Sequence, residues 1–196
     1  HQNGAHEVRR GLGVACRVSQ QDKGVLVHGG PGRKRIGPIA HDLRVIDFSS
    51  GIAGPYATKL LADAGADVIK VEAPNRPDPG RASELHSVLG QTKRAIALDL
   101  KQPEAVRIAL DLAAKSDIVV ENFATGVMER LGIGEEALRE ANPNLILVSA
   151  SGVGRTGPEA DRVAYGTLLQ CYTGFAALNG HPGWPPHVGM AWLDPM

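Results

Sequence analysis

Apolar positions along this chain fall into two rhythms, short continuous runs and stripes spaced by three to five residues, and the two alternate. Leu43, Val45, Ile46 and Phe48 form a run suited to a strand buried on both faces. Ser49, Ser50 and Gly51 break it. Pro55 then suits the first turn of a helix, where a missing N–H is no loss. Tyr56, Leu60, Leu61 and Ala64 share one helical stripe. Gly65 is placed to end that helix in the left-handed conformation. Val68, Ile69 and Val71 make a second strand, with Glu72 at its carboxyl end. The pattern is a βαβ unit, whose crossover is expected to be right-handed. Ligands of open α/β sheets bind beyond the carboxyl ends of the strands. The turn at residues 49–53 and the segment after Val71 are therefore the first places to expect a site.

The alternation continues. Residues 74–90, rich in Pro, Gly, Asp and Arg, are expected to be a long loop. Ala95, Ile96 and Leu98 predict a third strand. Pro103 opens a helix carrying Val106, Leu110 and Ala113 on one stripe and ending near Lys115. Ile118, Val119 and Val120 predict a fourth strand, with Glu121, Asn122 and Phe123 at its carboxyl end. Helices are expected over residues 126–131 and 135–141, then a fifth strand at Leu145, Ile146, Leu147 and Val148. A glycine-rich loop at 151–158 leads to a helix over 164–178, and a loop at 181–186 to an extended apolar segment over 188–193 that delivers Asp194. The order predicts an α/β fold, a Rossmann-like parallel sheet with flanking helices.

Residues 1–40 differ in character, with seven basic residues against Glu7 and Asp22, and with Gly29-Gly30-Pro31-Gly32 breaking any regular element. They are expected to be the tail of an upstream segment plus a linker, with one short strand at residues 24–27 and a solvated basic cluster at Arg33, Lys34 and Arg35. A strand close to residue 196 needs something beyond it to pair with, so residues 41–196 are expected to be a truncated domain of a longer polypeptide.

Composition removes several function classes. The 21 basic and 21 acidic residues cancel, and aromatics are 4%. Neither favours nucleic acid or a membrane surface. No apolar run approaches the roughly 20 residues needed to span a bilayer. Cys16 and Cys171 give neither a disulfide framework nor a metal spacing, which makes a reduced, cytoplasmic setting the default. His86, His181 and His187 also lack metal spacing, so no metal is expected.

Three polar sets sit where a parallel sheet would place chemistry. Gly51-Ile52-Ala53-Gly54-Pro55 is either a turn that lets backbone approach a ligand phosphate or one that only packs helix on strand. Asn122 and Phe123 with Arg130 either bond and cover a nucleotide-like ligand or cap a strand end beside a surface arginine. Asp194 is either a nucleophile or base, or a turn-forming aspartate ahead of a proline. Ser151 lies in SGVG, not in the GxSxG elbow of a hydrolase.

Taken in order, these motifs resemble the family III CoA-transferases, the formyl-CoA and carnitine-CoA transferase family of CaiB/BaiF type. The matching stretches are LRVIDFSSGIAGPYATKLLADAGADVIKVE, TKRAIALDLKQPEA, SDIVVENFATGVMERLGI, NPNLILVSASGVGRTGP and YGTLLQCYTGFAALNGHPGWPPHVGMAWLD, collinear from about residue 42 to 196. The likeness covers the N-terminal half of a family unit. It implies part of a Rossmann-like large domain, and an interlocked homodimer in complete members. It implies that Asp194 attacks an acyl-CoA thioester to form a mixed anhydride. CoA thiolate then gives an aspartyl-CoA thioester, from which a carboxylic acid leaves as the new acyl-CoA. Coenzyme A is thus a substrate, and no permanently bound cofactor is expected. By the same resemblance Ile52 and Ala53 face the pantetheine and phosphates, Leu98 and Lys101 flank the adenine, and Asn122, Phe123, Arg130 and Leu131 form a CoA-binding segment. Ala73 stands where some members carry an arginine. Ser151 and Val153 depart from the lysine and tyrosine of oxalate-using members, which argues against formyl-CoA:oxalate transfer.

Two other readings remain open. The same fold hosts 2-methylacyl-CoA racemases, which use a histidine where this chain has Ala164-Tyr165-Gly166. The chain could also be a CoA-binding fragment without turnover, and the isolated 196 residues are expected to be inactive.

Overall fold

A computed structural model describes residues 16–17, 39–78, 80–191 and 194. The expected strand at 24–27, the basic cluster at 33–35, and Trp192 and Leu193 lie outside the described residues. The strands are β1 (Cys16–Arg17), β2 (Arg44–Asp47), β3 (Asp67–Glu72), β4 (Arg94–Ala97), β5 (Ile118–Glu121) and β6 (Ile146–Ser149). The helices are α1 (Ala53–Asp63), α2 (Glu84–Leu89), α3 (Pro103–Ala113), α4 (Val127–Arg130), α5 (Glu135–Ala141), α6 (Gly166–Tyr172) and α7 (Phe175–Leu178). They build an α/β domain on one sheet in the order β1-β4-β3-β2-β5-β6. Strands β2 to β6 are mutually parallel, and β1 pairs antiparallel with β4 at the edge. From β2 the chain steps outward through β3 and β4, then crosses to the other side for β5 and β6. The order reverses between β2 and β5, and such a switch point opens a crevice at the carboxyl ends of the strands.

Strand residues alternate between two apolar layers. Val45, Val68 and Val120 pack with Ala62 of α1 on one face. Ile46, Val71 and Val119 pack on the other with Ala105, Ala109 and Ala113 of α3 and Leu138 of α5. The three alanines, spaced by four, bring α3 close to the sheet. Ile46, Leu98, Ile133 and Leu138 are fully buried, each contributing about 1.5–3 kcal/mol relative to exposure. Gly65, at φ 103°, ends α1 in the left-handed conformation, as its position predicts.

Three expectations change. The loop at 74–90 contains α2, whose first turn is capped by Ser83 Oγ accepting from His86 N at 3.3 Å. Leu89 is its single buried residue, so the helix has little apolar periodicity to read. The helix expected over 164–178 is two short helices, because Gly174 takes φ 76° between them. Residues 188–191 are not a strand. Their backbone is bonded instead to a side chain of α6, through Gly189 N and Met190 O.

Candidate active site

The crevice forms where β2 and β5 end. Ser50 N donates to Asn122 Oδ1 at 2.8 Å, and Asn122 Nδ2 donates back to Ser50 O at 2.8 Å. Gly51 takes φ 75°, which favours glycine, and its N–H donates to Asp78 Oδ2 at 2.9 Å. Asp78 Oδ1 also accepts from Gly80 N at 2.8 Å. Ile52 is the N-cap of α1 and Ala53 its first residue. A Cβ at Gly54 would lie 2.2 Å from Ser49 Cβ, so α1 can start this close to β2 only with glycine there. The turn is thus pinned from β5 and from the segment after β3.

A buried ion cluster lies beneath it. Asp47 is 0% exposed. Its Oδ1 accepts from Ser49 N at 2.9 Å and from the Ser49 hydroxyl, and its Oδ2 accepts from Thr58 Oγ1 at 2.6 Å. Lys93 Nζ donates to Asp47 Oδ2 at 3.1 Å, Pro55 O at 2.7 Å and Thr58 Oγ1 at 2.8 Å, which uses all three ammonium donors. Lys70 Nζ lies 3.6 Å from Asp47 Oδ1 and donates to Ser49 O. Burial raises the Asp47 carboxyl, but Lys70, Lys93 and the two hydroxyls outweigh it and hold it below the ordinary value. Burial lowers the Lys93 ammonium despite Asp47. The cluster ties the start of α1 to three neighbouring stretches of the sheet.

Beyond β3, Glu72 pairs with Arg81 at 2.6 Å, and Ala73 sits in a turn bridged to Arg76. Gly51, Ile52, Ser83 and His86 line a cavity of about 320 Å³ here. Beyond β5, Glu121 accepts from Phe123 N at 2.8 Å and pairs with Arg155 at 2.6 Å. Arg155 comes from the glycine-rich loop after β6, so that loop is fastened to the same edge. Thr125 Oγ1 donates to Ala160 O at 2.7 Å, and a Cβ at Gly152 would lie 2.7 Å from Ala164 Cβ. These contacts bring the start of α6 against the carboxyl edge.

Asp194 is held at α6. Its Oδ2 accepts from Gly166 N at 3.1 Å, and its own N–H donates to Ala191 O at 3.2 Å. Partial burial raises its carboxyl above the ordinary aspartate value, and the Gly166 N–H opposes the rise. Among the described residues Oδ1 has no hydrogen-bond partner.

The structure therefore gathers Ile52, Ala53, Asn122 and Phe123 at the switch point. Arg130 and Leu131 lie at the end of α4, Arg130 exposed and Leu131 packed against the core. Of the pair expected to flank an adenine, Leu98 is 1% exposed, with its side chain in the core, and Lys101 is exposed. Sequence reasoning missed Asp47, Lys70 and Lys93, although a lysine inside the apolar run DVIKVE was a signal. It also missed Gly166 and Gln170, whose one signal was their spacing of four on a helix. Among the described residues no group of side chains could hold a metal ion, and no helix is long and apolar enough to cross a membrane.

The family model described as CoA-transferase family III matches residues 41–196. Succinyl-CoA--D-citramalate CoA-transferase of Chloroflexus aurantiacus is 39% identical over 163 residues, covering 78% of this chain and 40% of that protein. Acetyl-CoA:oxalate CoA-transferase of Acetobacter aceti is 40% identical over 152 residues, covering 74% of this chain and 39% of that protein. The crystal structure of a CAIB/BAIF family protein from Brucella suis superposes with a TM-score of 0.74 at 33% identity, covering 82% of this chain and 46% of that one. The chain thus spans 46% or less of the length of each of these three. The family model covers nearly all of the described residues, and by that match the chain belongs to CoA-transferase family III.

Proposed function

We propose that the full-length protein carrying this chain is a CoA-transferase that moves CoA from an acyl-CoA to a carboxylic acid, with Asp194 as nucleophile. The observation that carries this reading is the Asp194 carboxylate, with one oxygen held by Gly166 N–H and the other without a hydrogen-bond partner among the described residues. The ordinary aspartate pKa of about 3.9 lies far below neutral pH, so the ionised carboxylate can attack without a separate base. Asp194 Oδ1 bonds to the thioester carbonyl carbon, the C–S bond breaks, and CoA leaves as thiolate. The thiolate attacks Cγ of the resulting anhydride and expels the donor carboxylate, leaving an aspartyl-CoA thioester. The acceptor carboxylate attacks that Cγ and releases thiolate, which takes the acceptor acyl group and frees Asp194. Each attack at Cγ leaves negative charge on Oδ2, within reach of the Gly166 N–H.

CoA is proposed to lie at the switch point, with its pantetheine and phosphates along Ile52 and Ala53. Asn122, Phe123, Arg130, Leu131 and Lys101 complete the contact, and Ala73 contributes no charge. Several relatives are named for transfer to dicarboxylates, namely citramalate, malate, glutarate and oxalate, and a short dicarboxylic acid is the proposed acceptor. A homodimer is proposed for the full-length protein, supported by the exposed apolar stripe Tyr165, Leu168, Tyr172 and Phe175. A cytoplasmic setting is proposed with it.

The test is to incubate the full-length protein with a panel of acyl-CoAs, quench with hydroxylamine, and search by mass spectrometry for a hydroxamate at Asp194. Modification by at least one donor is expected. No modification with any donor, together with deuterium entering the acyl α-carbon in heavy water, would replace the transferase by a racemase.

A further inference from the structure

One face of α6 holds the segment that carries Asp194. Gly166 and Gln170 are the two buried residues of this helix. Residues four apart lie above one another on a helix face. Gln170 is 0% exposed, so a polar amide has been placed entirely out of water. Its Oε1 accepts from Gly189 N at 3.0 Å, and its Nε2 donates to Met190 O. Those bonds fix both sides of the Gly189–Met190 peptide region, which belongs to no strand or helix of its own. One turn away, Gly166 N donates to Asp194 Oδ2, and a Cβ at residue 166 would lie 2.1 Å from that oxygen and 3.0 Å from Ala191 Cβ. Residues 189–191 and 194 are thus laid along α6 by one amide side chain, one backbone N–H and one missing methyl group.

We propose that Gln170 is the positioning residue of the Asp194 nucleophile: its two amide bonds set where the carboxylate stands, and Gly166 opens the space it stands in. The inference rests on Asp194 being the nucleophile. Gln170 touches neither substrate nor the reacting atoms. It acts through the backbone at 189 and 190. A misplacement of about 1 Å at a reacting group can cost on the order of a hundredfold in rate. Among the described residues few backbone bonds hold residues 188–191, and the glutamine adds two side-chain bonds to their backbone.

Two variants of the full-length protein test this, Gln170→Leu and Gln170→Glu. The first keeps the size and removes both bonds. Its expected result is a kcat lowered by about a hundredfold, with the KM for acyl-CoA within about twofold, because the switch point lies on other elements. The second tests the bonds themselves. A neutral carboxyl at this position can accept from Gly189 N and donate to Met190 O; an ionised one cannot donate. Among the described hydrogen bonds of this face, Asp194 supplies the one other titratable group. The kcat of Gln170→Glu is therefore expected to approach wild type at the acid end of the active range and to fall as pH rises, where wild-type kcat does not fall. Hydroxylamine trapping in wild type is run beside both. A wild type labelled at Asp194 together with unchanged kcat in Gln170→Leu overturns the role of Gln170 alone. The same follows if kcat and acyl-CoA affinity fall together in both variants, or if Gln170→Glu shows no pH-dependent recovery. An unlabelled wild type overturns the nucleophile reading itself, and this inference with it.

Discussion

Asn122 and Ser50 exchange two hydrogen bonds of 2.8 Å, one in each direction, across the point where the strand order reverses. The pair joins the ends of β2 and β5 and sets the mouth of the crevice. Asn122→Ala leaves both groups of Ser50 without their partner. A buried polar group left unsatisfied costs about 1–3 kcal/mol, and a loss of that order is expected in chemical denaturation. Asn122→Asp keeps the acceptor for Ser50 N, loses the donor to Ser50 O, and adds a negative charge beside the proposed phosphate path. It is expected to weaken CoA binding by at least tenfold in titration calorimetry, with a smaller loss of stability than the alanine. Unchanged CoA affinity in Asn122→Asp would remove the anion from this crevice.

The Asp47 cluster predicts an asymmetry between two substitutions. Asp47→Asn leaves two buried lysines without a counter-charge. Removing one partner from a buried ion pair costs about 3–5 kcal/mol. Lys93→Met leaves Asp47 paired with Lys70 and replaces an ammonium that burial already disfavours, so its cost is expected to be smaller. The pH dependence has a definite sign. The folded-state pKa of Asp47 lies below its value of 3.8, so its contribution is fully present above that value and is lost as pH falls through the lower one. Denaturation midpoints of wild type and Asp47→Asn are expected to converge toward acid pH, and parallel curves would contradict the cluster.

Asp194 is expected to trade stability for reactivity. Its carboxyl is raised above 3.8 in the folded protein, so the folded state favours the protonated form. Its contribution to stability is therefore greatest below the ordinary value and declines as pH rises through the raised one. Activity is expected to run the opposite way, because the proposed nucleophile is the ionised form. Turnover is expected to fall at acid pH through an inflection above 3.8. Asp194→Asn should abolish turnover while raising the thermal midpoint slightly at neutral pH. A lowered midpoint would show the carboxylate to be a structural anchor.

Gly54 tests how closely α1 approaches β2. An added Cβ would sit 2.2 Å from Ser49 Cβ, and overpacking of this kind costs about 1–3 kcal/mol. Gly54→Ala is expected to lose that much and to weaken CoA binding by shifting the turn. Because the obstacle is the Ser49 side chain, Ser49→Gly in the same protein should restore part of both losses. Strict additivity in the double-mutant cycle would place the obstacle elsewhere.

The hydrophobic rhythm determined the parallel strands and the helices α1 and α3, because each buries a face and burial writes a period into the chain. It did not determine α2 or the break inside the helix expected at 164–178. With its single buried residue, α2 carries almost no period; its serine cap and closing glycine are local. The break is set by one left-handed glycine. The placement of Asn122 and Phe123 at a strand end was legible too: they follow an apolar run, and strand ends are where a parallel sheet exposes polar groups. What only the tertiary structure decided is who meets whom. Asp47, Lys70 and Lys93 come from three separate segments, and their charges make sense only once burial brings them together. Gln170 reads in the sequence as one more polar residue on a short helix. It becomes a clamp on the Asp194 segment because the fold lays residues 189–191 and 194 along its face, a contact between segments that no local pattern encodes.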